Sequence, residues 1–241
     1  MLEILYQDEF LVAINKPSGL LVHRSPIDRH ETEFAVQILR DQLGQFVYPI
    51  HRLDKPTSGV LLFALDKESA KITGEKFISR EAKKSYIAVV RGYALENGVI
   101  DYALSIKLDK IADKDSSADK EPQEAITHYE RLATVELDFQ VGKYDKTRYS
   151  LVKLHPQTGR KHQLRRHMKH ISHHILGDTK YGRGEHNILI RQEFGCHRML
   201  LHALELQIKH PYIDKILCIK APLDTAFVDI FNSFGWQKSL I

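Results

Sequence analysis

The sequence predicts an α+β protein, and three observations carry that expectation. Short apolar runs rich in Val, Ile and Leu, bounded by turn residues, read as strands. Fewer segments place apolar residues at helical spacing. The two kinds do not alternate regularly as βαβ units, which argues against a doubly wound parallel sheet.

In chain order, strands are expected at residues 2–6, 10–14, 60–65, 85–90, 126–134, 147–155 and 204–209. Helices are expected at 33–43, 67–79 and 160–171. Phe34, Ile38, Leu39 and Leu43 give the first helix an apolar face, and Gly44 suits its C-terminal stop. Leu164, Met168 and Ile171 give the last one a core-facing stripe, with Thr158 as a reasonable N-cap. Around residue 86, Tyr86, Ala88 and Val90 alternate with Ser85, Ile87 and Val89, which fits a strand buried on both faces. Residues 109–122 are polar, mixed in charge and poor in large apolar side chains, and read as a solvated connection or insertion. No internal repeat is evident.

Composition narrows the class. A chain of 241 residues allows one large domain or two small ones. It shows no long apolar span and no signal-peptide pattern. Cys196 and Cys218 form no metal-binding pair and suggest reduced thiols in a cytoplasm. The net charge of +4 is modest, but its distribution is lopsided. Residues 143–183 hold eleven Lys and Arg against Asp145 and Asp178 alone, a formal surplus of nine, with six histidines besides. Such a stretch is the electrostatic footprint of a nucleic-acid face. Fourteen histidines raise the question of zinc. In the cluster His162, His167, His170, His173 and His174, only His170 and His174 stand at i, i+4, without a zincin glutamate or a cysteine pair. No metal site is expected, and these histidines are expected to face nucleic acid or solvent.

The most informative residues are His51-Arg52-Leu53-Asp54-Lys55-Pro56-Thr57-Ser58-Gly59, followed at once by the apolar run Val60-Leu61-Leu62-Phe63-Ala64-Leu65. Asp54 therefore falls on a turn leading into a buried strand, between a Pro that restricts the backbone and a Gly that frees it. Asp, Pro, Ser and Gly are also ordinary turn formers, so this string alone is compatible with a structural turn. A protein kinase is excluded by the lack of a Gly-rich phosphate loop and of Asp-Phe-Gly. An aspartic protease is excluded because two residues separate Asp54 from Thr57. Company elsewhere in the chain decides. Thr158-Gly159-Arg160-Lys161-His162-Gln163-Leu164-Arg165-Arg166-His167-Met168 puts basic side chains around a helix start, which suits a phosphate. Lys83-Lys84-Ser85-Tyr86-Ile87-Ala88-Val89-Val90-Arg91-Gly92 offers a tyrosine on a buried strand.

Together with Asn15-Lys16-Pro17-Ser18-Gly19-Leu20-Leu21-Val22-His23, Ile175-Leu176-Gly177-Asp178-Thr179-Lys180-Tyr181-Gly182 and Arg198-Met199-Leu200-Leu201-His202-Ala203, these segments resemble in order and spacing the RluA-type pseudouridine synthases, which isomerise uridine in RNA. The resemblance implies the pseudouridine synthase fold, a large bent, mainly antiparallel sheet with flanking helices around a central catalytic cleft. It implies that Asp54 is the essential residue and that Arg165 pairs with it. An Arg at contact distance lowers a carboxylate pKa by roughly one to three units, which keeps it ionised. It implies that Tyr86 lies against the target uracil, where base stacking is worth roughly 1–3 kcal/mol. Arg52 is placed to fill the vacated space or reach a phosphate, and Leu164 to pack the wall beneath the base. The last three segments shape turns and pack the sheet, and no chemistry is assigned to them.

The whole chain, including Asp109-Lys110-Ile111-Ala112-Asp113-Lys114 and Phe234-Gly235-Trp236, is similar to a bacterial branch of that family acting on tRNA. That implies uridine 65, in the stem beside the T loop, as the target. Large-subunit rRNA or another tRNA site is the enzymatic alternative, and a non-catalytic RNA-binding module is the alternative from another class. The isomerisation needs no cofactor and no metal. A single catalytic domain over 1–241 is expected, without a separate N-terminal RNA-binding domain, monomeric and independent of membranes.

Overall fold

The structure, a computed structural model, describes residues 1–24, 30–105 and 121–237. Most of the stretch read as a solvated connection, 109–122, lies outside the described residues. The chain divides into two compact units, Met1–Lys84 with Ala103–Ala125 and Ala203–Pro222, and Ser85–Tyr102 with Ile126–His202 and Leu223–Ile241.

In the first unit the strands β1 (Glu3–Gln7), β2 (Leu11–Lys16), β4 (Ser58–Ala64) and β9 (Leu201–Lys209) lie side by side in that order. Short β3 (Tyr48–Pro49) adds to β4, and β10 (Ile216–Lys220) pairs antiparallel with β9. β1 with β2 and β2 with β4 are antiparallel too. Every residue of β4 is buried, as its unbroken apolar run requires. Leu11, Ala13, Val60, Leu62, Leu206, Ile208, Leu217 and Ile219 form one core with Phe77 packed on it. Gly59 has a reason beyond the turn: with φ at 108°, a Cβ there would stand 2.2 Å from the Ala203 carbonyl oxygen. Only Gly lets β4 approach β9 so closely.

Two helices complete this unit. α1 (Ala35–Leu43) has no side-chain cap, and the carbonyls of Leu21 and Val22 accept from the amides of Ala35 and Val36 instead. Gly44 ends it in the left-handed conformation, as expected. α2 (Lys67–Ile78) starts on Asp66, whose carboxylate accepts from the Ser69 amide at 2.8 Å.

The second unit holds β5 (Lys83–Arg91), β8 (Thr147–Pro156), β7 (Ile126–Leu137) and β6 (Asn97–Asp101), antiparallel in that order. Its core joins Ala88, Val90, Val152 and Leu154 to Leu164, Met168, Ile175 and Met199. α3 (Gln163–His170) contributes Leu164 and Met168 to that core, with Ile171 packed against it, so the expected stripe is present. Its start is not. Thr158 does not cap the helix; its hydroxyl accepts from the Ile126 amide and donates to the Gln163 side chain. The N-cap is His162, in the left-handed region at φ 54°.

Two further helices were not expected from the sequence, α4 (Gly184–Phe194) and α5 (Thr225–Phe234). Asp224 caps α5 and Gly235 ends it, while Phe194, Phe231, Phe234 and Trp236 interlock edge to face.

Candidate active site

The turn that carries Asp54 is fixed from beneath by a lysine. Lys16, at the end of β2, is fully buried, and its ammonium donates to the carbonyls of Pro17 (2.9 Å), Leu20 (2.8 Å) and Lys55 (3.2 Å). Ser18 Oγ donates to the Pro56 carbonyl at 2.8 Å and the Gly19 amide to that of Lys55 at 2.9 Å. The Thr57 amide closes the turn on the Asp54 carbonyl at 3.0 Å. Lys16 thus satisfies three carbonyls that strand ladders leave over, and hydrogen bonds to a charged group contribute about 1.5–3 kcal/mol each.

Neighbouring motif residues divide between anchoring and exposure. His51 stacks on Phe77 with ring centroids 4.9 Å apart, and its Nε2 accepts from the Leu62 amide at 3.2 Å. Burial, and secondarily the charge of Lys84, pull its pKa down to about 3, so it stays neutral as the acceptor role demands. Leu53 is buried, Asp54 half-buried and Arg52 exposed. Burial, and then the Arg52 charge, also lower the pKa of His23, which places the histidine of the first motif near Arg52.

In the second unit Tyr86 sits on β5 opposite Leu154 of β8, half-buried and packed on the core cluster that includes Leu164. Leu164 and Arg165 are both nearly inaccessible on the first turn of α3. Arg165 is held in a fork: its Nε donates to Asp178 Oδ2 at 2.8 Å and its Nη2 to Oδ1 at 2.9 Å. The guanidinium carbon lies 5.1 Å from the Tyr181 ring centroid. Asp178 in turn accepts from the amides of Lys180 and Tyr181, while Asn187 of α4 donates to its carbonyl and accepts from the Gly177 amide. Burial pushes the Asp178 carboxyl up, but Arg165 and the two amides outweigh it and hold the pKa below the ordinary carboxylate value.

Lys16 and Asp178 are the residues that sequence reasoning passed over, having assigned their segments to turns and packing. A signal for Asp178 existed: it is the only carboxylate between Lys146 and Arg183, and an Arg buried on a core-facing helix requires a partner.

Two expectations need correction. The basic stretch is partly neutralised, because Lys146, Arg148 and Lys153 of the second unit pair with Glu136, Asp138 and Glu130 on or beside β7. The histidines do not simply face outward. His167 and His174 are buried, His162 bonds Tyr181, His173 bonds the Arg91 carbonyl, and His170 stacks on Tyr102. Burial lowers the pKa of His167 and of His174.

An antiparallel α+β scaffold with an aspartate turn entering a buried strand and an ion-paired arginine on a helix defines a class, and comparison identifies it. Residues 10–170 match the model of the RNA pseudouridylate synthase family, an isomerase family, and the chain belongs to it. It is 54% identical to tRNA pseudouridine synthase C of Vibrio parahaemolyticus, covering 100% of this chain and 98% of that one. It is 57% identical to tRNA pseudouridine synthase C of Haemophilus influenzae, covering 99% and 100%. Among solved structures, human RNA Pseudouridylate Synthase Domain Containing 4 superposes with a TM-score of 0.70 at 28% identity, over 97% of this chain and 93% of that one. Human RNA Pseudouridylate Synthase Domain Containing 1 gives 0.70 at 26%, over 92% and 84%.

Proposed function

We propose that this chain converts uridine to pseudouridine in tRNA, at uridine 65 in the stem beside the T loop. The observation that carries the reading is end-to-end likeness, above half identity, to relatives named tRNA pseudouridine synthase C. The reaction breaks the bond from N1 to the ribose, turns the freed base, joins C5 to the same ribose carbon and releases the C5 proton. Asp54 acts at the sugar or the base, and Arg165 pairs with it. Tyr86 stacks on the uracil and Leu164 packs beneath it. A base inside a stem must first be extruded, at a cost of a few kcal/mol. Arg52 and basic residues of 143–183 offset this through phosphate contacts. No helix among the described residues is long and apolar enough to cross a membrane, and the reading places the enzyme in the cytoplasm as a monomer working on tRNA.

The test is to incubate unmodified tRNA with the protein and map pseudouridine by carbodiimide treatment and primer extension. A single stop reporting position 65 supports the reading. Modification of large-subunit rRNA in place of tRNA, or of another tRNA position, would overturn the substrate.

A further inference from the structure

Gln163 and His167, on the same helix as Leu164, belong to a hydrogen-bond chain in which the position of every proton is determined. The Ile126 amide donates to Thr158 Oγ1 at 3.0 Å, and that hydroxyl donates to Gln163 Oε1 at 2.7 Å. The Arg160 amide donates to the same Oε1 at 3.0 Å. Backbone amides only donate, so the Gln163 oxygen must face this side and its NH2 the other. There Nε2 donates to the Ile126 carbonyl at 3.0 Å and to Thr127 Oγ1 at 3.1 Å. Thr127 Oγ1 lies 2.9 Å from His167 Nδ1, and His167 Nε2 lies 3.1 Å from the Tyr102 carbonyl oxygen. A carbonyl only accepts, so Nε2 carries the imidazole proton, Nδ1 is the acceptor, and the Thr127 hydroxyl donates to it.

The four side chains Thr158, Gln163, Thr127 and His167 are all buried, and each has its partner. The geometry points to Gln163, Thr127 and His167 as positioning residues for the isomerisation, fixing the first turn of α3 and with it Leu164 and Arg165. The inference rests on the proposed roles of those two residues. Gln163 immediately precedes them; its NH2 is tied directly to the start of β7, and its oxygen is tied there through the Thr158 hydroxyl. His167 lies one turn further on, on the same helix, and ties it to Tyr102 after β6. Together these bonds fix the rotation of α3 about its axis, which decides where the Arg165 guanidinium points. The charged and titratable groups around His167 are Arg166 and His170 on its own helix and Asp101 on β6. A second proton on its ring would leave the Thr127 hydroxyl proton without an acceptor.

The test compares Thr127→Val, which keeps the shape and deletes the hydroxyl, with Thr127→Ser, which restores it, and with Arg165→Met. Misplacement of catalytic groups by a remote change costs roughly tenfold to a hundredfold in rate. Thr127→Val is expected to lose kcat on that scale while KM for tRNA stays within about twofold, as for an interaction used only in the transition state. Thr127→Ser is expected to recover. Wild-type kcat in folded Thr127→Val, beside an inactive Arg165→Met, would overturn the positioning role alone. Wild-type kcat in Arg165→Met would instead overturn the functional reading beneath it. Nitrogen-15 shifts of His167 in the unaltered enzyme supply a check that needs no variant: a single Nε2–H tautomer is expected, and the Nδ1–H form would contradict the chain.

Discussion

Asp178 grips Arg165 through two parallel hydrogen bonds, both side chains almost wholly removed from solvent. A fork-to-fork pair fixes direction as well as charge, which point-charge partners do not. Arg165, the partner proposed for Asp54, is therefore oriented by a carboxylate thirteen residues further along the chain.

Breaking that grip has a defined cost. Asp178→Asn keeps the volume but removes the carboxylate charge from the fork around a buried guanidinium, so stability should fall by about 3–5 kcal/mol. Urea titration at pH 7 measures it. The Asp178 pKa is depressed in the fold, so its contribution is present above the ordinary carboxylate pKa and lost as pH falls through its folded value. The difference between wild type and Asp178→Asn should accordingly shrink in strong acid and stay constant above pH 6.

Arg165→Met exposes the other half of the relationship. It strands the Asp178 carboxylate in the core, so a comparable loss of about 3–5 kcal/mol is expected, together with loss of turnover. Calorimetry and tritium release on the same preparation separate the two effects, and wild-type turnover would remove Arg165 from the mechanism.

Lys16→Met should loosen the turn bearing Asp54. The Pro17 and Leu20 carbonyls lose their ammonium donor, while that of Lys55 keeps the Gly19 amide, and each unsatisfied group costs about 1–3 kcal/mol where water cannot replace it. A drop in the urea midpoint with faster amide exchange at Gly19 and Thr57 is the expected result. An unchanged midpoint would show that the carbonyls find other donors.

The histidines predict an acid limb. The pKa of His51 is held at about 3 and that of His186 at about 4, both chiefly by burial. Depressed histidines contribute stability above the unfolded value of about 6.5 that is lost as pH falls toward the folded one. Thermal unfolding should thus shift down steadily between pH 6.5 and 4, and His51→Gln should flatten part of that slope. A melting temperature independent of pH across the window would contradict the buried, neutral rings.

Much of this architecture was legible because burial left periodic marks. The unbroken run of β4 and the stripe Leu164, Met168 and Ile171 put the Asp54 turn and α3 where they were expected. α5 was not seen because Phe227, Val228, Ile230 and Phe231 are aromatic or β-branched, although Asp224 and Gly235 carried its start and stop signals. β10 alternates buried Leu217 and Ile219 with exposed Ile216, so its outer face reads as apolar and hides the period. The start of α3 was misplaced because Thr158 serves the Ile126 amide, a demand set by a strand more than thirty residues away. Lys16 and Asp178 escaped for a related reason. Their roles depend on which carbonyls and which guanidinium the fold brings within reach, and no local pattern records that.

The most direct test of the central claim is tritium release from tRNA labelled at uridine C5, wild type against Asp54→Ala. Release by wild type and none by the variant is the predicted result. Equal release by both would remove Asp54 from the reaction, and silence from wild type on tRNA and ribosomal RNA alike would contradict the enzyme itself.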